Sequence, residues 1–154
     1  MARTSSTLLA AAVVALALPA AARAGAPDAT FAGTWRIVGA VLAPWATPEQ
    51  GFPDEVKRMV GRQVRFTATA VRGPAPLACA PPVYSVRPSD GPEMLFEGGL
   101  EGPDARQKAQ KLGMAGPTVA TLEVGCSEIA YHLLAPGVLS FALDNQIYTL
   151  RRVR

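Results

Sequence analysis

The last third of the chain alternates apolar and polar residues in several short stretches. Leu122 and Val124, for example, alternate with Thr121 and Glu123. A period of two is typical of β-strands that bury one face. Asp144-Asn145 suits the positive φ angles of a tight hairpin turn. We therefore predict an antiparallel meander of four strands, which cover residues 119–126, 129–134, 138–143 and 146–153.

The preceding part of the chain predicts shorter elements. The chain has fourteen prolines. All but Pro19 lie between residues 27 and 136, where they disfavour long helices. The apolar periodicity predicts seven or eight strands in total and one or two short helices. The fold class expected is all-β and mostly antiparallel. The further predicted strands cover 31–41, 64–70, 83–87 and 94–96, and the predicted helices cover 54–60 and 104–112.

Residues 1–24 have the pattern of a secretory signal peptide. Arg3 precedes an apolar run at 8–18, and Ala22-Arg23-Ala24 places small residues two apart before a cleavage site. The run is about half the length of a spanning helix, so we expect no membrane anchor after cleavage. The sequence thus predicts a bacterial protein that is periplasmic or secreted.

Residues 25–154 form one predicted domain. Arg3 and Arg23 leave with the signal, so 13 basic residues (15 minus 2) face 12 acidic ones and the formal net charge falls from +3 to +1. A nearly neutral domain gives no reason to expect a nucleic-acid partner.

Cys79 and Cys126 are the two cysteines of the chain. In an oxidising compartment an even pair predicts a disulfide, which stabilises the fold by about 4 kcal/mol on the chain-entropy model. The alternative, a cysteine nucleophile or metal ligand, has little support from an isolated pair and a single histidine. We predict no metal and no cofactor.

No nucleotide-binding glycine loop, nucleophile elbow or zinc-protease motif occurs. His132 is the only histidine, in a strand-like run. It is either a general base for Ser127 or Ser140, or a histidine on the wetter face of a strand. Because no motif identifies a nucleophile or an orienting acid, we predict no catalytic residue.

Gly33-Thr34-Trp35 lies on the first predicted strand of the mature chain. It resembles the Gly-x-Trp motif of lipocalins and other calycins, including avidin-like barrels. The resemblance implies a small up-and-down β-barrel in which Trp35 closes one end. It also implies that an arginine of the last strand lies across the Trp, and we assign Arg151 to that role. Gly33, Trp35 and Arg151 are therefore expected to be structural.

Four aromatic residues are candidates for ligand binding. Trp45 lies in a proline-flanked loop and is expected either at the barrel mouth or packed over the core edge. Phe66, Phe141 and Tyr148 either line a cavity or simply fill a small barrel.

Three functions are compatible with these features. The first is an exported, non-catalytic binding protein that holds a small apolar or amphipathic ligand in the barrel. The second is a protein-interaction module, such as a periplasmic inhibitor of a cell-wall lytic enzyme, with loops 43–53 and 87–103 as its contact surface. The third, a hydrolase that uses His132, has the least support. The partner expected is a small apolar ligand or another exported protein.

An intact mass tests the predicted signal-peptide cleavage and the predicted disulfide together. The exported protein should have the mass of residues 25–154 less two hydrogens, and reduction should restore those two hydrogens. Electrospray mass spectrometry before and after reduction measures both changes. A mass that includes residues 1–24 in the exported protein would contradict the cleavage site.

Overall fold

The structure is a computed structural model, and it describes residues 25–154. The predicted signal peptide lies outside the described residues. Within them the chain forms eight strands, and in β2, for example, the buried Val64 and Phe66 alternate with the exposed Gln63 and Arg65. The strands are β1 Gly33–Leu42, β2 Gln63–Phe66, β3 Val71–Arg72, β4 Tyr84–Asp90, β5 Val119–Val124, β6 Ala130–Ala135, β7 Val138–Leu143 and β8 Gln146–Arg152.

The strands form one curled antiparallel sheet in the order β3-β2-β1-β8-β7-β6-β5-β4. Consecutive strands are therefore neighbours throughout, except that β8 returns to pair with β1 and no ladder joins β3 to β4. The result is a half-barrel, and the predicted all-β antiparallel fold is confirmed. The hairpin between β7 and β8 turns at Asp144 and Asn145, with φ of 47° and 59°, as predicted.

Two contacts link the unpaired edges of the sheet. Cys79 forms an isolated bridge with Val71 of β3 and a disulfide with Cys126, which follows β5. The Oη of Tyr84 on β4 donates a hydrogen bond of 2.8 Å to the carbonyl of Thr67, between β2 and β3. The predicted disulfide is confirmed, and it joins the two sides of the sheet opening.

Aromatic rings fill the inside of the curl. Phe141 and Tyr148 stack with ring centroids 4.9 Å apart, and Phe66 and Tyr131 meet edge to face at the same separation. These rings are almost fully buried and pack with apolar residues from both halves of the sheet, among them Trp35, Ile37, Val64, Leu122, Leu139 and Leu150.

A second apolar layer covers part of the outside of the sheet. Leu95 and Leu100, with Ala105 and Ala109 of a helix, pack on outward side chains of β5, β6 and β8, which include Val119, Leu134 and Ile147. The two α-helices are α1 Pro53–Met59 and α2 Ala105–Lys111, and short 3₁₀ turns lie at Pro48–Gln50, Ala75–Leu77 and Pro92–Gly98. Across residues 25–154, no helix has the length and apolarity needed to cross a bilayer.

Two predicted strands differ from the structure. The strand expected at 64–70 ends at Phe66, because Thr67 and Ala70 form a hydrogen-bonded turn that reverses the chain into β3. The strand expected at 94–96 was wrong. That segment belongs to the 3₁₀ turn at Pro92–Gly98, in which Phe96 and Glu97 have left-handed backbone angles.

Trp35 is covered by Arg152, not by Arg151 as expected. The β1–β8 register places Arg152 opposite Trp35, and its guanidinium lies 4.3 Å from the ring centroid. Arg152 also donates hydrogen bonds to the carbonyls of Ala32 and Thr30. Arg151 points to the opposite face of the sheet because neighbouring residues of a strand alternate in direction.

Gly33 permits this arrangement at the start of β1. Its φ is +107°, and a Cβ there would lie 3.3 Å from the guanidinium of Arg152. The indole nitrogen of Trp35 donates a 2.8 Å hydrogen bond to the carbonyl of Phe31. Glycine, tryptophan and arginine together close this end of the curl.

Replacing Arg152 by Gln should lower the free energy of unfolding by about 1–2 kcal/mol. The variant loses a cation–π contact and two hydrogen bonds to carbonyls. Arg151→Gln is the matched control, since that side chain is exposed, and it should change stability by less than about 0.5 kcal/mol. Urea unfolding measures both variants, and equal destabilisation would contradict the assigned role of Arg152.

Candidate functional site

A cleft of about 680 Å³ lies on the outer side of the sheet. Its walls come from five segments of the chain. They are the loop after β1, the end of the 3₁₀ turn with the residues after it, α2, the start of β6 and the β7–β8 hairpin, at residues 44–45, 96–99 and 101, 108, 128–130 and 132, and 142–145. A smaller cleft of about 370 Å³ adjoins it and shares Glu97 and residues 128–130.

Trp45 forms one wall of the cleft, with 41% of its surface exposed. Its indole lies directly on the backbone of Gly99, where an added Cβ would meet ring carbons at 2.5–2.9 Å. Phe96 lies beside it, with ring centroids 6.1 Å apart and a tilt of 43°. The absence of a side chain at Gly99 therefore allows the indole of Trp45 to pack against the backbone there and to lie beside Phe96.

His132 contacts both the ring and the backbone of Phe96. The two rings meet edge to face at 4.9 Å, and the backbone N–H of Phe96 donates a 3.0 Å hydrogen bond to Nε2 of His132. Since Nε2 accepts this bond, the proton of the neutral imidazole is on Nδ1, which lies 2.9 Å from Oγ1 of Thr121. Both ring nitrogens are engaged in holding the cleft wall.

The backbone that carries Phe96 is strained. Phe96 has φ 53° and ψ 45°, and Glu97 has φ 58° and ψ 36°. Left-handed angles at two consecutive residues other than glycine are unfavourable by about 1–3 kcal/mol each. The hydrogen bond to His132 and the burial of the Phe96 ring compensate for this strain.

Asp90 and Arg87 lie on β4, which is separated from β6 by β5, and they add charge near His132. The Asp90 carboxylate accepts hydrogen bonds of 3.0 and 3.2 Å from Nε of Arg87. Burial raises the pKa of Asp90, but hydrogen bonds from Arg87 and Thr121 outweigh it, so the pKa lies below its usual value. Arg87 also pairs with Glu123.

Burial lowers the pKa of His132 to about 4, and it remains neutral at pH 7. Asp90 raises this pKa and Arg87 lowers it, but both effects are smaller than that of burial. The hydroxyl of Ser127 accepts a bond from the Ile129 N–H, and that of Ser140 donates to the Tyr148 carbonyl. Neither predicted serine partner of His132 is thus bonded to it, and the geometry assigns His132 to positioning Phe96.

The rim of the cleft is acidic. Glu97, Glu101, Glu128 and Asp144 line it and are exposed, and none of them takes part in an ion pair between described residues. Lys108 is the one lysine or arginine of the lining, and its ammonium lies 3.0 Å from Asp104. The described residues contain no group of three or more His, Cys, Asp or Glu suited to hold a metal ion.

The structure separates the four predicted ligand-binding residues. Trp45 lies in the cleft, whereas Phe66, Phe141 and Tyr148 pack inside the curl. The hydroxyls of Tyr131 and Tyr148 have no hydrogen-bond partner among the described residues. Burial raises the pKa of Tyr148 to about 12 and also raises that of Tyr131, as expected in an apolar interior.

Sequence reasoning missed Phe96, Gly99 and the supporting role of His132. Gly98-Gly99 was visible only as the end of a strand. The contact from Gly99 to Trp45 and the bond from Phe96 to His132 each span dozens of residues, so no local pattern reports them.

Comparison with known proteins identified no relative: no family model, curated protein or solved structure matches this chain.

Removing the single histidine should reduce the loss of stability in acid. Because the folded pKa of about 4 lies below the ordinary 6.5, the unfolded chain binds a proton first as the pH falls. This contribution to stability is present above pH 6.5 and is lost between pH 6.5 and 4. Between pH 7 and 5 the wild type should lose about 2 kcal/mol more than His132→Gln.

Guanidinium chloride unfolding of both proteins at the two pH values measures this difference. Gln keeps an acceptor for the Phe96 N–H but does not titrate. Equal losses in the two proteins would show that the pKa of His132 is not lowered by folding.

Proposed function

We propose that this protein is an exported, non-catalytic binding protein whose ligand site is the outer cleft. The observation that carries the proposal is Trp45, which is half-exposed, packs against the backbone of Gly99 and forms the cleft wall beside Phe96. A large aromatic face held in place at a cleft is a typical anchor for a ligand. The cleft volume of about 680 Å³ is in the range of small-molecule sites.

The cleft favours a small amphipathic ligand with a cationic group. The exposed indole of Trp45 attracts apolar groups and cations alike. Glu97, Glu101, Glu128 and Asp144 surround it with negative charge, and Lys108 is paired with Asp104. A ligand that carries a quaternary or protonated amine next to an apolar chain matches both features.

The inside of the curl is the less favourable place for a ligand. Phe66, Phe141, Tyr148 and Tyr131 are almost fully buried against one another. A ligand there would have to displace packed rings, and such rearrangement of a core is unfavourable. We therefore place the site on the opposite side of the sheet.

Export is supported by the sequence and is compatible with the structure. Residues 1–24 have the signal-peptide pattern. The Cys79–Cys126 disulfide is of the kind that persists in an oxidising compartment.

Titration with an amphipathic cation tests the cleft. Decyltrimethylammonium below its micelle concentration should bind more tightly than the neutral decyl maltoside or the anionic decyl sulfate. Trp45→Ala should weaken binding at least about tenfold, because the aromatic anchor is lost. Isothermal titration calorimetry measures the affinities.

Two further variants sharpen the result. Phe52→Ala removes another exposed aromatic side chain, which does not line the cleft, and should leave the affinity unchanged. Gly99→Ala keeps the indole but forces it from its position, and should also weaken binding. Equal affinities of Trp45→Ala and the wild type would overturn the proposed site.

The alternative, an interaction module such as an inhibitor of a cell-wall lytic enzyme, is favoured by one observation. Trp45, Phe52 and Met94 are 41–50% exposed on loops 43–53 and 87–103. Exposed large apolar side chains on loops are typical anchors of protein interfaces. A cell-lysis assay with lysozyme tests this alternative. Inhibition that Phe52→Ala abolishes, while its cation binding stays unchanged, would favour the interaction module.

A further inference from the structure

Four exposed arginines lie on the outer face of the sheet, in the half that β3, β2, β1 and β8 form. Arg36, Arg65, Arg72 and Arg151 lie on β1, β2, β3 and β8, which are consecutive in the sheet. Each follows a buried residue that points into the curl, so the arginines point outward. The second apolar layer draws on the outward side chains of β5, β6 and β8, and none of the four arginines belongs to it.

The strand register brings these positive charges together in pairs. Arg36 is directly opposite Arg151, and Arg65 is directly opposite Arg72. Like charges at directly opposite positions destabilise a sheet. The five strands β3, β2, β1, β8 and β7 contain no Asp or Glu that would offset the repulsion.

No group in the described part of the chain neutralises these side chains. None of the four guanidinium groups takes part in an ion pair or a side-chain hydrogen bond among residues 25–154. No ion pair or side-chain hydrogen bond within the described residues therefore explains four arginines at these positions. Their arrangement suits an anionic partner that lies outside the chain.

We propose that this arginine face, Arg36, Arg65, Arg72 and Arg151, binds the anionic surface of a phospholipid bilayer. Guanidinium groups bind phosphate oxygens with two parallel hydrogen bonds. Neighbouring strands are about 4.8 Å apart, so four strands spread the charges over a width of about 14 Å. A two-dimensional set of cations matches the phosphates of lipid headgroups, which also lie in a plane.

Nucleic acid is the less suitable polyanion. Proteins that bind single strands stack bases on exposed aromatic side chains. The aromatic residues of these four strands, Trp35, Phe66 and Tyr148, are all buried inside the curl. Val38, which is 44% exposed on β1, is the kind of apolar side chain that a membrane interface accepts.

Co-sedimentation of the mature protein with vesicles tests the proposal. The protein should sediment with vesicles of about 30% phosphatidylglycerol in phosphatidylcholine, and much less with phosphatidylcholine alone. Binding should disappear at about 500 mM NaCl, because salt screens exposed charges. Each arginine near the surface contributes about fivefold to the partition coefficient, so Arg36→Gln/Arg65→Gln should bind about 25-fold more weakly.

The matched control is Arg106→Gln/Lys111→Gln, which removes the same charge from the exposed side of α2. It should bind like the wild type. The melting temperature of Arg36→Gln/Arg65→Gln should be unchanged or higher, because a repulsion is relieved in each pair. Equal weakening in both double variants, no binding to the anionic vesicles, or tighter binding to single-stranded DNA than to them would each overturn the proposal.

Discussion

Closing the opening between β3 and β4 is the constraint on which the rest of this structure depends. A curled sheet buries its inner side chains only while its two edges stay near each other. Ladder hydrogen bonds connect all the neighbouring strands in the sheet order. Between β3 and β4 there is no ladder, and the Cys79–Cys126 disulfide and the Tyr84–Thr67 hydrogen bond take its place. The disulfide constrains a loop closed over 47 residues of separation, which on the chain-entropy model stabilises the fold by about 4 kcal/mol.

The outer face of the sheet is partly covered by apolar residues at β5 and β6 and carries arginines at β1, β2 and β3. This difference separates the cleft from the arginine face. β5 and β6 each place one apolar side chain, Val119 and Leu134, in the outer layer that the 95–114 region forms. β1, β2 and β3 have apolar side chains mainly inside, and arginines outside. The cleft lies where the outer layer ends, so its aromatic wall is continuous with the second core.

Seven of the eight strands, all but β3, were predictable because one-sided burial leaves a period of two in the sequence, and the Asp144-Asn145 turn has its own local chemistry. Trp45 was recognisable as a candidate for ligand binding, but the sequence left open whether it lines a barrel mouth or packs over the core edge. The backbone at Phe96 was not, because an apolar segment there resembles a strand until His132, 36 residues away, accepts its N–H. Choosing between Arg151 and Arg152 required the β1–β8 register, since a shift by one residue exchanges the two faces.

The arginine face and the acidic cleft lie at opposite ends of the same two strands. Arg36 is near the start of β1 and Trp45 follows its end, while Asp144 precedes β8 and Arg151 is near its end. Six residues of extended strand separate Arg36 from Leu42 by about 20 Å. The separation of these positive and negative side chains gives the molecule a dipole component along the two strands. In the field of an anionic surface, that dipole would rotate the molecule so that the Trp45 cleft faces away from the surface.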